Sequence, residues 1–290
     1  MVGKDTNPYF GAPDPKAEIE AMIAKHVVGL GDEIGNGVRE ATIRNFHGRH
    51  VILLTGSTGG LGSYLLASLL SREDVAIVYT FNRPSTMATI KQRQRAAFED
   101  RGLDTALLES EKLIYLEGDT AQPNLLLDDR TYSDIRDSLT VIIHNAWRLD
   151  FNLALSSFEP NVRGMRQLID LARASNRIVK PRFMFTSSVA SVQGWEKDQC
   201  VFPEEVQFNS SVGVGSGYGA SKYVSERVRI RATRSRFKGY WISYRFSLRD
   251  RYLRRAVCPQ HRLESGRSLG VRHGVRGPPR IGSLSSSSRA

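Results

Sequence analysis

Tyr218 and Lys222, four apart in Tyr-Gly-Ala-Ser-Lys, form a pair able to handle a proton. Residues at i and i+4 share one helix face, so phenol and ammonium can open into one cleft. A neighbouring cation favours the phenolate and lowers the tyrosine's proton affinity, as a donor near neutral pH requires. Taken alone the pair says little, because Tyr-x-x-x-Lys recurs by chance on solvated helix faces. Upstream, the apolar run Phe183-Met-Phe ends in Thr186-Ser187-Ser188. Ligands of open parallel sheets bind outside the carboxyl ends of strands. A hydroxyl there can hold a substrate oxygen while Tyr218 protonates it. Position after the strand favours Ser188, with Ser187 second, and at least one of the three hydroxyls caps the next turn.

What gives the pair its meaning is Val51-Ile-Leu-Leu-Thr-Gly-Ser-Thr-Gly-Gly-Leu-Gly62, an apolar strand running through a glycine turn into a helix. In such a turn one glycine lets the chain reverse, one lets backbone amides approach a pyrophosphate, and one lets the helix pack on the strand. The helix's first turn then offers its free N–H groups to the anion. Thr55, Gly56, Thr58, Gly59, Leu61 and Gly62 are the candidate contacts. Cofactor choice is written at the end of the second strand, where a carboxylate binds a ribose 2′-hydroxyl and a cation a 2′-phosphate. The chain has Thr80-Phe-Asn82-Arg83 there and no carboxylate, which favours NADP(H) with Arg83 on the phosphate. Asn82 stands beside it, and Arg93 or Arg95 on the following helix are possible helpers. Asp119 closes the third strand, either accepting from an adenine amino group or simply forming a turn. Asn145 and Ala146 close the fourth, small enough for the backbone to pass a cofactor, and His144 reads as structural. Asn161 is most simply a helix N-cap.

The elements that must position these residues alternate strand and helix, which predicts an α/β, Rossmann-like, doubly wound parallel sheet. Strands are expected at 50–55, 75–81, 112–117, 140–145 and 181–186, with a sixth at 240–246. Helices are expected at 61–71, 86–100, 131–138, 161–175 and 217–234, the last with a flexible Gly213-Val-Gly-Ser-Gly217 opening. Residues 16–28 carry apolar residues at helical spacing, Ile19, Met22, Ile23 and Val27. The division expected is 1–45 linker and helix, 46–246 nucleotide-binding domain, and 247–290 a basic tail.

The 290 residues carry a net charge of +11, but nine units of it fall in residues 239–290. The remainder is close to neutral, which argues against a nucleic-acid face. Cys200 and Cys258 lack metal-ligand or disulfide-framework spacing and read as unpaired bystanders. No apolar run approaches a membrane span and the N-terminus has no signal-like segment, so no membrane association and a cytoplasmic location are expected. The tail contains no lysine although nine precede it, and it reads as frame- or splice-altered sequence or as a disordered basic segment.

Thr-Gly-x-x-Gly-x-x-Gly at 55–62 resembles the short-chain dehydrogenase/reductase superfamily, extended type. Adding Asn82-Arg83, Gly118-Asp-Thr, the run His144-Asn-Ala-Trp-Arg-Leu-Asp-Phe-Asn152, Asn161-Val-Arg-Gly and Tyr218/Lys222 narrows the likeness. Residues 40–245 resemble the thioester reductase, male-sterility-like NAD-binding, domains that close fungal NRPS-like and aminoadipate-reductase-like enzymes. The resemblance implies that NADPH reduces an acyl thioester, carried on the phosphopantetheine arm of a carrier domain, to an aldehyde in secondary metabolism. It gives Tyr218 the developing oxyanion, Lys222 the nicotinamide ribose and the tyrosine's acidity, and Ser188 the carbonyl. It also implies that the C-terminal substrate subdomain is largely missing, which puts activity in doubt. Two other readings remain: an extended short-chain reductase acting on a free carbonyl or nucleotide sugar, and a non-catalytic NADP-binding remnant.

Overall fold

The computed structural model describes residues 14–31, 46, 48–195, 202, 207–234 and 241–246. Six strands form one parallel sheet: β1 (His50–Thr55), β2 (Val75–Asn82), β3 (Leu113–Glu117), β4 (Val141–His144), β5 (Arg182–Ser188) and β6 (Trp241–Phe246). Their order is β3-β2-β1-β4-β5-β6, so the chain reverses its direction of travel between β1 and β4. Among the described residues six α-helices accompany the sheet: α1 (Pro15–Val27), α2 (Gly60–Leu70), α3 (Ile90–Glu99), α4 (Asp129–Ser138), α5 (Glu159–Ala174) and α6 (Gly217–Arg234). The Rossmann-like doubly wound sheet is therefore the architecture, and every strand overlaps its expected span. Residues 247–290, Cys200 and Cys258 lie outside the described residues.

Parallel strands covered on both faces must be apolar throughout. In β1 alternate side chains serve opposite sides. Val51 and Leu53 join the core that holds Ile19, Ile23, Leu168 and Val228 from α1, α5 and α6. Ile52 and Leu54 join Leu66, Leu70 and Phe98 from α2 and α3. The first helix docks firmly: Asp14 caps it, and Arg166 of α5 donates to the carbonyls of His26 and Val28, each at 2.7 Å.

Three expectations change. The third helix begins at Ile90, not at 86, because Thr89 and Gln92 close a reciprocal capping box and Ser85 turns the chain onto Met87 N–H first. Asn161 is not an N-cap, since Pro160 is accommodated in the first turn and starts α5 at Glu159. The opening of α6 is close-packed rather than flexible: a Cβ on Gly217 would sit 2.2 Å from the Leu153 carbonyl oxygen.

Candidate active site

A cleft of about 620 Å³ opens at the carboxyl edge of the sheet, where β1 and β4 diverge into their helices. Ligands of doubly wound sheets bind at this switch point. The glycine turn forms one wall. Gly56 has φ +70°, and a Cβ there would meet Ala146 Cα at 2.8 Å; only glycine combines that backbone with that approach. Gly62 lets α2 close on the turn, since its Cβ would fall 1.9 Å from the Gly56 carbonyl oxygen. The first i→i−4 bond of α2 is donated by Ser63 N–H to Gly59, so the amides of Gly60, Leu61 and Gly62 precede the ladder. At Gly60 an added Cβ would meet nothing within 4 Å, leaving the outer side of the turn open. These features fit a dinucleotide pyrophosphate.

Gly56, Thr58, Gly59, Leu61, Asn82, Arg83, Asn145, Ala146, Ser188, Tyr218 and Lys222 all line this cleft. Thr55 and Gly62 stand behind it: the Thr55 hydroxyl accepts the amides of Asn145 and Ala146 at 3.1 and 3.0 Å, tying β1 to β4. Asn82 donates to Ser57 Oγ at 2.9 Å, and Ser57 Oγ donates to Gln94 of α3 at 2.7 Å, so the second strand and third helix brace the glycine turn. Arg83 is exposed at the rim.

Three candidate contacts have protein partners of their own. Arg93 does not line the cleft; it is held by Glu117 at 2.6 Å and by the Arg83 carbonyl at 2.9 Å. Arg95 pairs with Glu109. Asp119 forms a turn, its carboxylate accepting from Ala121 N–H at 2.9 Å, and the adjoining Thr120 reaches the cleft instead.

At the opposite end, α6 points Tyr218 and Lys222 at the end of β5. Ser188 lines the same cleft as Tyr218, and its hydroxyl accepts Ala190 N–H at 3.1 Å, capping the 3-10 turn 189–192. Ser187 donates to buried Glu226 and is thereby committed elsewhere. Lys222 Nζ donates to the Thr186 carbonyl at 2.7 Å and lies 4.1 Å from the Trp147 ring centre. The electrostatics run against expectation. Burial raises the Tyr218 phenol above its usual range, and the Ser188 hydrogen bond opposes this. Lys222 is itself held well below the usual lysine range by burial, with Glu226 opposing. Its Nζ stands 5.8 Å from the Tyr218 ring centre, turned to a carbonyl. A dry, ring-lined wall disfavours both charged forms.

Sequence reasoning passed over Trp147, Glu226, Gln94 and the cleft-lining role of Asn161. For Glu226 the signal was available, since it extends the Tyr218/Lys222 face by another four residues. Gln94 had none, because its partner lies 37 residues away.

The NAD-binding family model described as Male sterility protein matches residues 54–247. The chain belongs to the male sterility protein family. This member is 56% identical over 217 residues to adenylate-forming reductase Nps9 of Serpula lacrymans var. lacrymans, covering 74% of the chain and 20% of that protein. It is 55% identical over 230 residues to Nps11 of the same fungus, covering 77% and 21%. The chain thus spans about a fifth of the length of these curated relatives. The terminal R domain of the myxalamid PKS-NRPS pathway superposes on this male sterility family domain with a TM-score of 0.63 and 26% identity, covering 80% of this chain and 55% of that one. Among the described residues no helix is long and apolar enough to cross a membrane.

Proposed function

We propose that this chain is an NADPH-dependent reductase domain that converts an acyl thioester, presented on the phosphopantetheine arm of a carrier domain, into an aldehyde. The observation that carries this reading is the convergence of Tyr218, Lys222 and Ser188 on the cleft that the glycine turn also lines. Similarity to adenylate-forming reductases supports the reaction class.

Gly56, Thr58, Gly59 and Leu61 would hold the pyrophosphate at the first turn of α2. Arg83 would take the 2′-phosphate, with Asn82 fixing the loop before it, and Asn145 and Ala146 would border the nicotinamide half. Asp119 would act through its turn, which presents Thr120, and Arg93 through the Arg83 carbonyl it holds. When bound, the reduced nicotinamide supplies a hydride to the thioester carbonyl carbon. Ser188 orients the carbonyl oxygen and Tyr218 gives it a proton as charge develops. A phenol kept neutral by burial is a proton donor that is loaded at pH 7. Lys222 holds the ribose and balances the phenolate formed after transfer. The resulting hemithioacetal then breaks its C–S bond, the hydroxyl proton passes to the departing thiolate, and aldehyde and thiol are released.

The test is NADPH oxidation by the purified chain with an acyl-N-acetylcysteamine thioester, scored for aldehyde. Aldehyde formed by wild type and abolished in Tyr218→Phe supports the reading. NADPH binding without reduction contradicts it and favours a nucleotide-binding remnant.

A further inference from the structure

Glu226 is the third residue on the face of α6 that bears Tyr218 and Lys222. It is 2% exposed. Its carboxylate accepts from Ser187 Oγ and, at 3.2 Å, from Ser191 Oγ. Ser191 Oγ also lies 2.8 Å from the Ser188 carbonyl oxygen. The carboxylate therefore grips both ends of the five-residue stretch 187–191 on which Ser188 stands. One turn earlier, Lys222 holds the Thr186 carbonyl, so two successive turns of α6 clamp the end of β5. Two rings also flank the lysine, Trp147 at 4.1 Å and Phe185 at 4.6 Å. Trp147 is itself fixed by Nε1–H donation to Ser221 at 3.2 Å. An ammonium in such a box is poorly solvated unless a counter-charge stands near it.

We propose that Glu226 is a positioning residue of this site: it holds Ser188 within reach of Tyr218 through Ser187 and Ser191, and it is the counter-charge to the Lys222 ammonium. The first half rests on the functional reading above; the second does not. The other titratable groups facing Lys222 are Tyr218 on α6 and His144 on β4. From β5 the described contacts of Lys222 are the Thr186 carbonyl and the Phe185 ring. Glu20 of α1 faces Arg227 and Tyr223 on another side of α6. On α5, Glu159 pairs with Lys25 and Asp170 with Arg166. Burial acts to strip Lys222 of its proton and Glu226 acts to keep it there.

Two variants separate the roles. Glu226→Gln retains an oxygen for the serines and removes the charge; Ser187→Ala keeps the charge and removes one grip. The full chain, labelled with ε-¹³C lysine, carries nine lysine signals, and Lys222→Arg identifies the one of interest. Glu226→Gln is expected to lower the Lys222 titration midpoint by about one pH unit or more, a roughly tenfold change in proton affinity. Ser187→Ala should leave that midpoint in place. An unchanged midpoint in Glu226→Gln overturns the counter-charge role. In thioester reduction, Ser187→Ala should slow turnover about tenfold at every pH, with NADPH affinity unchanged, because the carbonyl is held less well. Turnover at the wild-type rate overturns the positioning role. Glu226→Gln should move the alkaline limb of the rate to lower pH, since a less tightly held proton is lost sooner. If wild type forms no aldehyde, the functional reading fails, while the lysine titration still decides the counter-charge role of Glu226.

Discussion

Thr55 Oγ1 lies 2.9 Å from His144 Nδ1, and the same oxygen already accepts two backbone amides. Both its lone pairs are engaged, so its proton points at the imidazole. His144 is thereby fixed as the tautomer protonated on Nε2, a neutral ring stacked on Phe185 and edge-on to Trp147. It works as a structural pin between β1 and β4 rather than as an acid.

That pin has a pH signature. Burial, then the Lys222 charge, lowers the His144 pKa from 6.5 to about 3. Between those values the unfolded chain binds a proton that the folded chain refuses, so stability must fall as pH falls through that window. The loss is about 1.4 kcal/mol per pH unit within that window, and it vanishes above pH 6.5, where neither state binds the proton. His26, also lowered by burial, adds to the same limb. Urea denaturation from pH 7 to pH 4 should show His144→Gln with a flatter slope than wild type. Parallel slopes would mean that His144 takes up its proton in the folded state.

Leu126 carries a removable strain. Asn124, Leu125 and Leu126 are consecutive left-handed residues, with φ of 50°, 59° and 59°. Leu125 compensates by being buried, but Leu126 is 61% exposed. A left-handed non-glycine residue costs about 1–2 kcal/mol, so Leu126→Gly should stabilise the chain by about 1 kcal/mol. Thermal unfolding reads this as a Tm higher by a few degrees. A lower Tm would show that Leu126 makes contacts worth more than its strain.

Much of this architecture was legible because local and global signals agree. The strand spans follow from short apolar runs, and the glycine turn from a spacing that leaves few backbone solutions. Errors cluster where a partner is distant in sequence. Arg93, read as a possible helper of Arg83, is held instead by Glu117, 24 residues on. The proton affinity of Tyr218 was inferred from Lys222 alone, whereas burial, with Phe158 against its ring, raises it. Asn161 was misplaced for a local reason, the helix starting before Pro160 instead of after it.

In the proposed reading, cofactor choice rests on Arg83. A charge-assisted contact to a 2′-phosphate contributes about 1.5–3 kcal/mol, so Arg83→Ala should weaken NADPH binding about 10- to 100-fold and leave NADH within about twofold. Arg93→Ala should have the smaller effect, acting through the Arg83 carbonyl. Nucleotide fluorescence titration measures both. Equal losses for NADPH and NADH would remove Arg83 from phosphate recognition.

The proposed reaction makes Tyr218 the proton donor to a thioester carbonyl. The most direct measurement is aldehyde formation from an acyl thioester and NADPH by wild type and by Tyr218→Phe at matched cofactor saturation. Wild type is expected to form aldehyde, and Tyr218→Phe to lose about 10²- to 10⁴-fold in rate with unchanged NADPH affinity. Reduction by Tyr218→Phe at the wild-type rate would contradict it.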